Sequence, residues 1–238
     1  MSLLTIIQGA VDRIGSMTRP TTVVTNTDPT IRQLLSLAQQ EGKELARIGD
    51  WQALKSEKTF ITVALESQAT ASPVAIPTDF DWYLADTMYN RTSRRKVNGP
   101  LSGIEWQQMK ATLVTLVNPA FRFRGNAIFI SPTPTAGETV AYEYMTKNWC
   151  QSSLAVAQSA WAADTDTAVL DEEFHILGLH WRWKKAKGLD YAEEFSTYQM
   201  QTEQALMRDG GRPRISADPM PNERVPVSPQ IPDTYVIS

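Results

Sequence analysis

The chain has 238 residues, of which 42% are apolar and 21% charged, proportions that suit a water-soluble globular protein with a sizeable core. A net charge of −3 gives no general attraction to nucleic acid or anionic membrane, and a single cysteine, Cys150, excludes an internal disulfide. The apolar start from Leu3 to Ile7 has no basic flank and is soon interrupted by Gln8, Asp12 and Arg13. It therefore reads as neither a signal peptide nor a membrane span, and the expectation is a soluble, cytosolic product.

Leu3, Ile6, Ile7, Ala10, Val11 and Ile14 recur at helical spacing, with Gly15 as a stop. Asp28-Pro29 then opens a second helix, because Asp caps free N–H groups and Pro at the first helical position loses nothing. Its apolar stripe, Ile31, Leu34, Leu35, Ala38, Leu45 and Ala46, runs towards Gly49. From Thr59 to Leu65 the chain turns β-branched and aromatic, which predicts a strand, with Val74-Ala75-Ile76 as a possible hairpin partner. Trp82, Leu84, Met88 and Tyr89 suggest another strand between Phe80 and Lys96. Ser102 and Glu105 form a capping box ahead of a short helix holding Trp106 and Met109. Phe121–Arg124 and Ala127–Ile130 flank Gly125-Asn126, a tight hairpin turn. Val140, Tyr142 and Tyr144 alternate with Ala141 and Glu143, which predicts a strand with one wet face and, for the whole region, a small antiparallel meander.

The last third returns to helical periodicity. Asp171 caps a helix through Phe174, Leu177, Gly178 and Trp181 that Gly188 closes, and Asp190 to Glu193 resembles a capping box for a helix reaching Met207. Arg212 to Ser238 then carries six of the chain's 14 prolines, so it cannot be helical. Its spaced apolar residues suit an extended strap laid along a neighbour. The expected fold class is α+β: a helical bundle core, a small inserted antiparallel β domain and an extended C-terminal arm. The expected boundaries are 1–56 and 151–211 for the helical core, 57–150 for the β-rich insertion and 212–238 for the arm.

No catalytic constellation emerges, and neither a cofactor nor a metal site is expected. His175 and His180 stand five residues apart, about 140° around a helix, and cannot share a metal. Glu172 and Glu173 are expected in a helix's first turn, where negative charge favours the macrodipole. Asp164 and Asp166 belong to the preceding loop, and Cys150 reads as a small apolar filler. Of two basic clusters, Arg182, Lys184, Lys185 and Lys187 fit the end of a helix. The other, Arg91, Arg94, Arg95 and Lys96, sits in a polar loop suited to an acidic partner surface or to passing DNA. Seven tryptophans serve cores and interfaces alike and do not choose between them.

Several strings together resemble head-to-tail adaptor (connector) proteins of tailed bacteriophages. They are Leu34 to Ala46 with Gly49 to Leu54, Ile76 to Phe80, Gly99 to Ser102 with Trp106, Asn126 to Thr135, Ala163 to Thr167, and Trp181 to Tyr191. The resemblance covers roughly residues 28 to 209. It implies a non-enzymatic virion protein of the neck, whose helical cores pack side by side into a ring, typically of twelve copies, beneath the portal. It further implies that the C-terminal arm grips the portal, that the β part faces a downstream tail or nozzle protein, and that packaged DNA crosses the channel without sequence-specific binding. On that basis Ile215, Pro219, Pro221, Val225, Tyr235, Val236 and Ile237 are the expected portal-docking residues. Arg91, Arg94, Arg95 and Lys96 are the expected contacts to neighbours, tail or DNA. Two other readings stand beside it: a peptidoglycan hydrolase using Glu172 or Glu173 as its acid, and another tail protein such as a tail terminator.

Overall fold

Ser2 opens the first helix by a capping box. Its hydroxyl accepts from the Thr5 N–H, and the Thr5 hydroxyl accepts from the Ser2 N–H. The computed structural model describes residues 2–111 and 119–210. In chain order these form α1 (Leu3–Ile14), α2 (Pro29–Arg47), β1 (Lys55–Ile61), β2 (Phe80–Tyr83), β3 (Tyr89–Asn90), β4 (Arg95–Lys96), α3 (Gly103–Ala111), β5 (Ala120–Arg124), β6 (Ala127–Ser131), β7 (Thr139–Thr146), β8 (Cys150–Gln151), β9 (Ala157–Gln158), β10 (Thr167–Ala168), α4 (Glu172–Ala186) and α5 (Ala192–Asp209). The fold is α+β. The arm, including every proposed portal-docking residue from Ile215 to Ile237, lies outside the described residues.

The helix signals hold locally. Gly15 closes α1 at φ +69°, Asp28 caps α2 through the Thr30 N–H at 2.7 Å, and Asp171 caps α4 through the Glu173 N–H at 3.0 Å. Ser102 and Glu105 exchange the two bonds of their capping box ahead of α3. At α5 the outcome differs. Tyr191 holds the cap position without a side-chain bond, and Asp190 accepts from the Ala192 N–H instead of closing a box with Glu193.

The β region departs further from the sequence reading. β5 and β6 do form the hairpin about Gly125-Asn126, with Gly125 at φ +59°. Val74–Ile76, however, is not the partner of β1. That strand pairs along its whole length with β7, Lys55 opposite Met145 and Ile61 opposite Thr139. Only an isolated bridge, Ile61 to Ser72, remains of the expected hairpin. Phe80–Lys96 holds three short strands instead of one, and β2 and β3 share the edge of β7 that β1 leaves open. The sheet is thus organised around a late central strand and is no meander. β7 also lacks the expected wet face. Val140, Tyr142 and Tyr144 enter the β core, while Met145, on the opposite side, is fully buried in the helical core, leaving Glu143 exposed between.

Two large hydrophobic cores and a small third cluster, Leu177, Trp181 and Tyr198 between α4 and α5, result among the described residues. One large core gathers α1, α2 and α4 around Leu3, Ile6, Leu34, Leu45, Leu179 and Trp183, together with Trp149, Cys150 and Trp161. The other is aromatic, with Phe60, Phe121, Tyr142 and Tyr144 at its centre. There the tyrosine hydroxyls are satisfied: Tyr142 donates to the Ala75 carbonyl at 2.6 Å and Tyr144 to the Asp79 carboxylate. All the tryptophans except Trp82 are buried; Trp51, Trp149, Trp161 and Trp183 serve the helical core, and Trp181 the cluster between α4 and α5.

Candidate assembly surfaces

The outer edge of the helical core is fixed by a charge cluster. Glu41 of α2 is fully buried. It accepts from Arg182 Nε of α4 at 2.5 Å and from the Tyr198 hydroxyl of α5 at 2.7 Å. Arg182 Nη2 reaches Glu44 at 2.8 Å, and the guanidinium lies over the Trp181 ring at 4.4 Å. Burial opposes the charge on Arg182, but Glu41 and Glu44 outweigh it and hold its pKa above the ordinary range. Burial pushes the Tyr198 hydroxyl up, and the neighbouring Glu41 charge adds to this, so the phenol stays a donor. Gly178 leaves the space: a Cβ there would overlap the Glu41 carboxyl group. Arg182 is therefore not part of a charged helix end, as the sequence reading had it. It is the centre of a pin joining three helices.

That pin uses the inward side of α5, where only Tyr198 and Thr202 are buried. Phe195, Gln199, Glu203 and Met207 follow at four-residue intervals, so they form one ridge on the outward side, and all four are exposed. Met200 stands beside the ridge. Between it and α2 lies a groove of about 310 Å³, lined by Glu44, Ile48, Trp181, Phe195, Gln199 and Glu203 among others. Phe195 is 39% exposed, its ring edge-on to Trp181 at 5.0 Å between ring centres, and Met207 is 74% exposed, so the ridge presents apolar surface at both ends.

The basic residues Arg91, Arg94, Arg95 and Lys96 lie on and about the β3–β4 hairpin. Arg91 pairs with Glu57 at 2.8 Å and Lys96 with Asp86 at 2.9 Å, while Arg94 adopts φ +55° and its carbonyl accepts from the Tyr89 hydroxyl. Elsewhere, Leu154 and Val156 are exposed at the turn between β8 and β9, and Ile104 on α3.

The candidate catalytic groups have structural work. Asp164 accepts from the Val23 and Val24 N–H groups, and Asp166 from those of Ala162 and Ala163. Main-chain bonds from Leu3 and Leu4 to the carbonyls of Asp166 and Asp164 fasten α1 to the same loop. Glu172 and Glu173 sit in the first turn of α4, where Glu173 pairs with Arg13. Cys150 is buried as a filler, and burial pushes its thiol up to about 12. His175 is buried against Trp149 and Trp161, both 6.0 Å away between ring centres, and desolvation pulls its imidazole down to about 4. Among the described residues no three His, Cys, Asp or Glu side chains are grouped to hold a metal, and no helix is long and apolar enough to cross a membrane.

No curated protein matches the chain. The model of the SU10 adaptor protein family does, over residues 1–225, which takes in both cores, α5 and the first part of the proline-rich tail. The chain therefore belongs to the SU10 adaptor proteins, a phage head-to-tail adaptor family, and is a structural component of the head–tail junction of a virion.

Proposed function

We propose that this protein is a ring-forming subunit of the phage neck, about twelve copies of which seat on the portal, seal the DNA exit channel and receive the tail. The single observation that carries this reading is the family match across residues 1–225. The outward ridge of α5 supports it: a helix pinned to its own core by a buried ion network, yet exposed on its other side, suits a subunit whose neighbours arrive later. Arg212–Ser238 is the portal-docking arm, with Ile215, Pro219, Pro221, Val225, Tyr235, Val236 and Ile237 as its contacts. Proline lowers the entropy lost when such a strap becomes ordered, and many arms acting in parallel turn modest single contacts into avidity. Arg91, Arg94, Arg95 and Lys96 project from the β part towards the tail or a neighbour, and packaged DNA passes through without being read.

Deleting residues 212–238 tests the arm. The truncated protein is expected to keep its far-ultraviolet circular dichroism and its unfolding transition but to lose binding to purified portal rings. Full binding by the truncated protein would remove the arm from the mechanism.

A further inference from the structure

On α2, Lys43 and Arg47 form one row, and Glu44 and Ile48 form the next, about 100° further round the helix. The first row borders a cavity of about 490 Å³ whose rim also carries Lys147 and whose wall includes Trp149. Its three cations face a single carboxylate, Asp81, which Arg47 contacts at 3.4 Å. Lys43 and Lys147 are exposed and make no ion pair among the described residues. The second row borders the α5 groove, where two carboxylates, Glu44 and Glu203, stand against one cation, Arg182, which Glu41 and Glu44 already hold. Glu203 is exposed, its one hydrogen bond among the described residues being accepted from Gln199 at 3.0 Å, with apolar Met207 next along the ridge and Phe195 at its far end. One protein thus carries a basic recess and an acidic, apolar-ended ridge on different faces. Unlike faces that recognise each other make a head-to-tail contact, which closes into a ring or grows into a filament.

We propose that the occupant of the α5 face is a second copy of this chain, whose basic recess at Lys43, Arg47 and Lys147 takes the Glu203 ridge. This deepens the adaptor reading and rests on it. The apolar ends of the ridge supply burial, and the charges set the register and exclude the reversed pairing.

The test mixes full-length protein with purified portal rings, scoring ring occupancy by electron microscopy and adaptor–adaptor linkage by gel. Lys43→Glu with Lys147→Glu is expected to cut occupancy about tenfold, as is Glu203→Lys alone. Combining all three reversals should restore most of it, because each copy then carries two swapped faces. In parallel, Lys43→Cys with Glu203→Cys and a short bis-maleimide should yield a ladder of linked adaptor chains, whereas either cysteine alone should not. If unmodified protein stacks on the portal while the reversals change nothing and the cysteine pair does not link, the pairing is overturned and the adaptor reading stands. If unmodified protein neither joins the portal nor self-associates, both fall. Should a reversal variant fail to fold, the cysteine ladder decides alone.

Discussion

Helices α4 and α5 follow one another in the chain and are 15 and 18 residues long, yet they live in opposite surroundings. α4 buries His175, Leu177, Gly178, Leu179, Trp181, Arg182 and Trp183, residues spread around most of its circumference, and packs against α1, α2 and α5. α5 buries Tyr198 and Thr202 and leaves a ridge from Phe195 to Met207 exposed, with Phe195 alone resting on Trp181 of α4. The difference separates two kinds of requirement. α4 must satisfy groups with no access to water, so its sequence is constrained by what it touches inside the subunit. α5 needs one well-held side, and its other side is free to be shaped by a neighbour.

If that contrast holds, the largest stability effect comes from α4. Arg182→Ala leaves Glu41 buried without its cation and should cost about 3–5 kcal/mol in urea unfolding, against little or no loss for a well-packed replacement of the whole pair. His175 comes next. The unfolded chain takes up its proton near 6.5 and the folded chain only near 4, so between those values the unfolded state holds more protons. Stability from this group is therefore complete above 6.5, falls as pH drops towards 4, and loses nothing further below that. The difference amounts to about 3 kcal/mol. The pH dependence of unfolding should flatten by about that amount in His175→Leu when compared with the native chain. Burial also pushes the Glu41 carboxyl up, against the pull of Arg182, and this acts in the opposite sense, losing stability as pH rises, so the comparison between the two proteins is what isolates the histidine. Gly178→Ala tests the pin sterically. Its Cβ would overlap the Glu41 carboxyl group, and a cost of about 1–3 kcal/mol is expected.

On α5 the order reverses. Met207→Ser should move folding stability by less than about 0.5 kcal/mol, because that side chain is 74% exposed, and Phe195→Ser by about 1 kcal/mol, because its ring meets Trp181 edge-on at 5.0 Å. Both should reduce assembly on the portal. A loss of folding stability as large as that of Arg182→Ala would mean the ridge is covered by its own subunit, and the contrast would collapse.

Much of this was legible in the sequence and some was not. Helix ends were, since Gly15, Asp28, Ser102 and Asp171 act on N–H and C=O groups within a turn of themselves. The β5–β6 hairpin was, because Gly125-Asn126 fixes pairing locally. The partner of β1 was not. β7 lies about 80 residues later, and nothing in Thr59–Leu65 distinguishes a distant strand from the near segment at Val74. The face of β7 was misread because Met145 enters the helical core, while the alternation of Val140 to Tyr144 reports only the β core. Arg182 was misread for a related reason: beside Lys184, Lys185 and Lys187 it looks like one more helix-end cation, and its true partners, Glu41 and Glu44, lie about 140 residues earlier. Spacing would have found one hint, since Glu41 falls on the otherwise apolar side of α2 with Ala38 and Leu45. The α5 ridge could not be read as exposed until Tyr198 and Thr202 were seen to be its inward side.

The account turns on whether this subunit forms a ring on a portal. Electron microscopy of the full-length protein mixed with the purified portal, beside the protein alone, tests that directly. The account predicts a second ring stacked coaxially on the portal, its subunits touching through the helical cores. Portal rings that stay bare, with the protein remaining monomeric beside them, would contradict it.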